Sequence, residues 1–239
     1  MVSQKKLLVI LAHPDDESFL CGGTIAKISK LGVQVTLLCA TKGEMGRRMG
    51  NPILTTRESL PKLRELELKN ACEELGINDL RYLNLRDKTI EFEDIDLLVE
   101  RIVQVIVTFN EKYGGHPDHC AIGRAATLAF SKSGESDFYP DSVFSAFKAQ
   151  RLYFVLWHTY YEKWIKENML QSVTKVNISE TLQKKIRALR SHRSQTLAVP
   201  ELWDDQKPNL PFLTEYEYFI KGNPPYIIEE TDLFQTIET

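Results

Sequence analysis

One stretch constrains this chain more than any other: the uninterrupted apolar run Leu7-Leu8-Val9-Ile10-Leu11-Ala12, which stops at His13-Pro14-Asp15-Asp16-Glu17. A strand with one wet face alternates polar and apolar residues, whereas six apolar residues in a row need cover on both faces, as in a parallel sheet. The following residues repeat the theme. Gly22-Gly23-Thr24 opens a helix to about Leu31, closed by Gly32, and Val33 to Cys39 reads as a second strand. A Gly- and Met-rich loop runs from Thr41 to about Thr56. Ser59 and Pro61 begin a helix that Gly76 ends, although its apolar residues fit one helical face only roughly. Leu80 to Leu85 reads as a short strand, Asp94 as the cap of a helix through Ile95, Leu98 and Ile102, and Val105 to Phe109 as another strand. A further helix spans Asp118 to Gly134. Strand–helix alternation of this kind predicts an α/β fold: three layers, a mostly parallel sheet with helices on both faces.

The second half is less regular. Arg151 to Trp157 and Ser172 to Val176 read as strands, and Ser179 caps a helix whose last turn carries Arg187, Arg190, His192 and Arg193. His192 is read there as a cation complementing the helix dipole, with no site role. His158 is read as a packed residue. From about residue 199 the chain is rich in Pro and aromatics and is expected to wrap the surface of a single domain spanning 1–239.

Composition narrows the function classes. The net charge of −3, without a run of like charge, gives no electrostatic support to a nucleic-acid partner. The run from Leu7 is too short to cross a bilayer and lacks a cleavage site after it, so the expectation is a cytoplasmic protein with no membrane partner. The four cysteines form no CxxC pair, which removes zinc-ribbon and dithiol chemistry.

In parallel sheets, ligands bind beyond the carboxyl ends of the strands. The first strand delivers His13, Asp15 and Asp16 to that edge, and the strand at Val105 to Phe109 delivers His116, Asp118 and His119. Two histidines and one carboxylate from separate strand ends make a three-ligand metal site with an open position, the arrangement of a catalytic centre. Zinc there would lower the pKa of water, Asp15 would act as general base, and a protonated His116, oriented by Asp118, would stabilise an oxyanion and then protonate the leaving amine. The same donors suit Fe2+, so a non-haem iron enzyme is the alternative class.

At these residues the sequence resembles the LmbE-like (PIG-L) deacetylases: Ala12-His13-Pro14-Asp15-Asp16-Glu17 is paired with His116-Pro117-Asp118-His119. The stretches Thr41 to Gly50, Arg57 to Asp79 and Leu85 to Thr89 resemble more closely the second type of bacillithiol-biosynthesis deacetylase, which acts on N-acetylglucosaminyl malate. The resemblance implies a Rossmann-like fold, removal of an acetyl group from an amino-sugar conjugate, one zinc per chain and a homo-oligomer. It implies metal ligation by His13, Asp16 and His119, catalysis by Asp15, His116 and Asp118, and a substrate contact from Arg64. Another N-acetyl sugar, such as a chitooligosaccharide, is the alternative substrate. Two features depart from the family pattern. The passage Val107 to Gly115 is short, and Gly114 stands where some members place a tyrosine, with Tyr113 one position earlier.

Overall fold

The computed structural model describes residues 5–92, 105–132, 148–157, 160–161, 164, 173–204, 210, 213–224 and 230–234. The helix expected from Asp94 and the expected packing of His158 lie outside the described residues. The apolar run of β1 folds as its lack of alternation requires. Strands β1 (Lys6–Leu11), β2 (Gln34–Cys39), β3 (Asp79–Tyr82), β4 (Val105–Phe109) and β5 (Arg151–Leu156) form a parallel array in the order β3-β2-β1-β4-β5. Leu7, Val9, Ile10 and Leu11 of β1 are all essentially inaccessible, and each such side chain contributes about 1.5–3 kcal/mol by leaving water.

Strands β1 and β4 are direct neighbours, with Leu7 opposite Val105 and Val9 opposite Val107. The chain runs outward from β1 on one side and from β4 on the other, so this pair is the point where the strand order reverses, and the loops that follow both strands emerge side by side. The loops after β2 and β3 open at the same edge.

Helix α1 (Asp16–Lys30) begins a turn and a half earlier than the sequence predicts, but it is broken at Cys21 (φ −144°, ψ 16°). Its second part restarts at the expected glycines because Glu217 accepts the N–H groups of Gly23 (3.0 Å) and Thr24 (2.7 Å), while Lys185 pairs with that carboxylate at 2.7 Å. Helix α2 (Leu60–Leu75) ends at Gly76 in the left-handed region (φ 74°), as expected. Its inward face is Leu60, Arg64, Glu67, Leu68, Ala71 and Leu75. Two charged residues on that face explain why the apolar period looked imperfect. Helix α3 (Pro117–Lys132) follows β4, and α4 (Leu182–Ser191), capped by Thr181 rather than Ser179, packs against α1 and α2.

The segment beyond residue 199 does more than wrap the surface. It supplies β7 (Tyr216–Lys221), which enters the sheet between β5 and β6 (Val173–Asn177), antiparallel to both. Phe219 and Ile220 are core residues. Among the described residues, no helix is long and apolar enough to cross a membrane.

Candidate metal centre

The loop after β1 turns sharply to start α1. Asp15 sits at the N-cap with φ 108°, a left-handed conformation that only surrounding contacts hold in a non-glycine residue. This geometry brings His13 and Asp16 together, with the His13 N–H donating to Asp16 Oδ2 at 2.8 Å. From the other side, α3 presents His119. His13 Nδ1, His119 Nε2 and the Asp16 carboxylate converge: 3.3 Å between the two nitrogens, 3.5 Å from His13 to Asp16 Oδ2 and 3.4 Å from His119 to Asp16 Oδ1.

The outer nitrogens of both rings face acceptors. His119 Nδ1 donates to Gly114 O at 2.9 Å, and its ring stacks on Phe109 with centroids 3.9 Å apart. His13 Nε2 faces Asp118 Oδ2 at 3.1 Å and Asp87 Oδ1 at 3.3 Å. Those contacts fix the proton on the outer nitrogen of each ring and leave the inner nitrogens as bare donors pointed at one another. Protonating both instead would set two N–H groups nose to nose. A cation between them relieves either conflict, so the donor set fits a three-ligand divalent metal site. The electrostatics agree: burial works against the charged rings, yet the carboxylates around them raise the pKa of His13 (Asp118, Asp16, Asp87) and His119 (Asp16) overall. Asp16 is held well below the usual carboxylate range by His119 and His13, despite its burial.

Asp15 lies beside this cluster. Burial pushes its carboxyl up to about 6, although Arg64 draws it down, a value suited to a base that works near neutrality. His116 is the most open member, with a side chain 39% exposed. Its Nδ1 accepts the backbone N–H of Asp118 at 3.2 Å, which places the proton of the neutral ring on Nε2. His13, His116 and Asp118 also lie close enough to be considered as ligands, but here His116 Nδ1 is already engaged.

Residues 8–130, which hold all the residues of this cluster, match the family described as PIG-L, GlcNAc-PI de-N-acetylase. The chain belongs to the PIG-L family. Among curated PIG-L relatives, the probable N-acetyl-alpha-D-glucosaminyl L-malate deacetylase 2 of Bacillus subtilis is 40% identical over 222 residues, covering 89% of this chain and 94% of the relative. The protein of the same name from Bacillus cereus is 39% identical over 207 residues, covering 83% and 87%. Among solved structures, TT1542 from Thermus thermophilus aligns with a TM-score of 0.68 at 24% identity over 92% of this chain and 96% of that one, a likeness of fold.

Two residues of this PIG-L site make contacts other than those expected of them. Asp118 does not chiefly orient His116, whose Nδ1 is 3.9 Å from the Asp118 carboxylate. Its Oδ2 instead takes His13 Nε2 and the N–H of Lys88 (2.7 Å). The pKa of His116 is lowered, by burial and by the neighbouring His13 and His119. Arg64 is 4% exposed, not on a solvated face. Its guanidinium donates to Asp15 Oδ2 (3.0 Å), to Pro14 O, and to Gly43 O (3.1 Å). It braces the Asp15 carboxylate. A side chain at Gly43 would collide with that guanidinium.

Other residues of the PIG-L site escaped the sequence reading. Asp87 sits in the expected Leu85–Thr89 stretch, but nothing in its spacing marked it as the second carboxylate on His13. Its Oδ2 accepts the Met45 N–H (2.9 Å), and its own N–H donates to Glu44 Oε1 (2.7 Å), which anchors the β2 loop to the centre. His192 does end α4, but its ring is buried against Glu17 at 2.8 Å. Gly114 is crowded: a Cβ there would sit 3.0 Å from His119 Cβ, so the neighbours would have to give way.

Proposed function

We propose that this protein is a zinc-dependent deacetylase of N-acetylglucosamine conjugates, with N-acetylglucosaminyl L-malate as substrate. The observation that carries the reading is the convergence of His13 Nδ1, Asp16 and His119 Nε2 beside the Asp15 carboxyl and the open His116 Nε2–H. His13, Asp16 and His119 would hold a zinc ion, which would supply Lewis acidity and lower the pKa of a nearby water toward neutrality. Asp15 takes a proton from the water that attacks the acetamide carbonyl. His116 Nε2–H donates to the carbonyl oxygen as it becomes negative. Asp15, titrating near neutrality, then passes the proton to the departing sugar amine, leaving acetate and the free amine.

Arg64 is occupied by Asp15, so the malate carboxylates fall to other cations. Arg47 and Arg48 are exposed on the loop tied to Asp87, and Lys88 is exposed next to it. The names of the Bacillus relatives support this substrate.

The test is released amine, with zinc supplied, from N-acetylglucosaminyl L-malate, N,N′-diacetylchitobiose and methyl N-acetylglucosaminide. Fastest turnover of the malate conjugate is expected. Preference for chitobiose would move the substrate to chitooligosaccharides, and no release from any of the three would refute deacetylation. Elemental analysis of protein as isolated distinguishes zinc from Fe2+, which the same donors can hold.

A further inference from the structure

We infer that Glu17 and His192 are positioning residues that hold the base Asp15 in its working orientation. The inference rests on the reading of Asp15 as the base. A non-glycine residue at φ 108° stays there only if its surroundings fix it, and here they do so from two sides. The Asp15 N–H donates to Glu17 Oε2 at 3.0 Å, and the Asp15 carboxylate receives Arg64 Nη2 at 3.0 Å. Backbone and side chain are therefore clamped separately.

Glu17 is 1% exposed and does not join the metal ligands, because both its oxygens are taken by protein donors. Oε1 accepts from Ser18 Oγ at 2.5 Å and from His192 Nε2 at 2.8 Å. His192 provides that donor in either protonation state. Without it, a buried carboxylate would lose a partner and swing toward another donor, releasing the Asp15 N–H.

The same turn reaches the second arm. Ser194, two residues beyond His192, donates its N–H (2.6 Å) and Oγ (2.7 Å) to Glu67. Glu67 stands one turn of α2 after Arg64, on the same inward face. Glu17 and the turn of α2 next to Arg64 are thus tied to one short segment, residues 192–194.

The test is a double-mutant cycle. His192→Ala is expected to lower kcat roughly 10- to 100-fold, the cost of misplacing a catalytic group by about an ångström, with KM and bound metal unchanged. His192→Gln, whose side-chain amide can still donate to Glu17, restores most of the rate. In the Asp15→Asn background, His192→Ala causes no further loss. If His192→Ala does not fold, His192→Gln and Glu17→Gln carry the test: Glu17→Gln is expected to lower kcat with metal retained, and to do nothing more once Asp15 is Asn. An equal loss with and without Asp15, a loss of bound metal, or an undiminished kcat in His192→Ala overturns the inference while leaving the deacetylase reading intact. Absence of wild-type turnover on every sugar refutes that reading, and this inference with it.

Discussion

Replacing Asp118 with Asn tests the reassignment of this residue from His116 to the proposed metal ligand His13. The substitution conserves volume in a side chain that is 1% exposed, so no cavity confuses the result. The Asp118 carboxylate holds His13 Nε2 at 3.1 Å and Lys88 N at 2.7 Å through a single oxygen. A hydrogen bond to a charged acceptor contributes about 1.5–3 kcal/mol and one to a neutral acceptor about 0.5–1.5 kcal/mol. Asn therefore costs roughly 1–1.5 kcal/mol at the His13 contact, close to a tenfold change in an equilibrium. Asp87 Oδ1 remains 3.3 Å from the same nitrogen and limits the damage. Zinc affinity should consequently fall about tenfold in Asp118→Asn and approach 100-fold when Asp87→Asn is added, the range typical of outer partners on ligating histidines. Competition against a chelator of known affinity, read by elemental analysis, measures this directly. Unchanged zinc affinity in both the single and the double variant, with only kcat reduced, would return Asp118 to His116 and sink the argument from ring orientation.

Asp15→Asn should keep its zinc and lose about 10²–10⁴ in kcat; a variant that works at wild-type rate would remove Asp15 from the chemistry. Because bare nitrogens face each other 3.3 Å apart without a cation, chelation should lower the unfolding temperature. Zinc at about a thousand times its Kd should restore about 4 kcal/mol, and a melting temperature indifferent to zinc would argue against a metal centre here. The pKa of His192 is raised, chiefly by Glu17, despite the opposing effect of burial. A raised folded pKa adds stability that is complete below the unfolded value of about 6.5 and is lost as pH climbs through the folded value. The stability advantage of wild type over His192→Gln should shrink with rising pH across that window; a difference that stays constant in denaturant titrations would contradict the assignment.

What could be read from the sequence followed the unambiguous patterns. Strands β1, β2 and β4 are short segments rich in apolar and β-branched residues, Gly76 has the left-handed conformation that stops α2, and the motifs following β1 and β4 were placed at one edge by topology alone. Strand β7 was missed because two of its residues are charged yet buried. Glu217 pairs with Lys185 and Lys221 with Glu230, so Tyr216–Lys221 carries a polar pattern inside the sheet. Arg64 and Glu67 misled in the same way on α2. Asp87, Glu17 and His192 act through neighbours brought together only by folding: Asp87 is 74 residues from His13, and His192 is 175 from Glu17. No local spacing rule links such pairs, whereas a ligand at a strand end announces itself by position.

The place of β7 has a consequence for chain synthesis. A nascent polypeptide halted before residue 216 would have β5 and β6 without the strand that joins them, and the restart of α1 without the carboxylate that receives the N–H groups of Gly23 and Thr24. Helix α1 is thus completed by a residue 194 positions beyond Gly23, and Asp16 lies about two turns ahead of that junction. Assembly of the centre should therefore wait until β7 has been made.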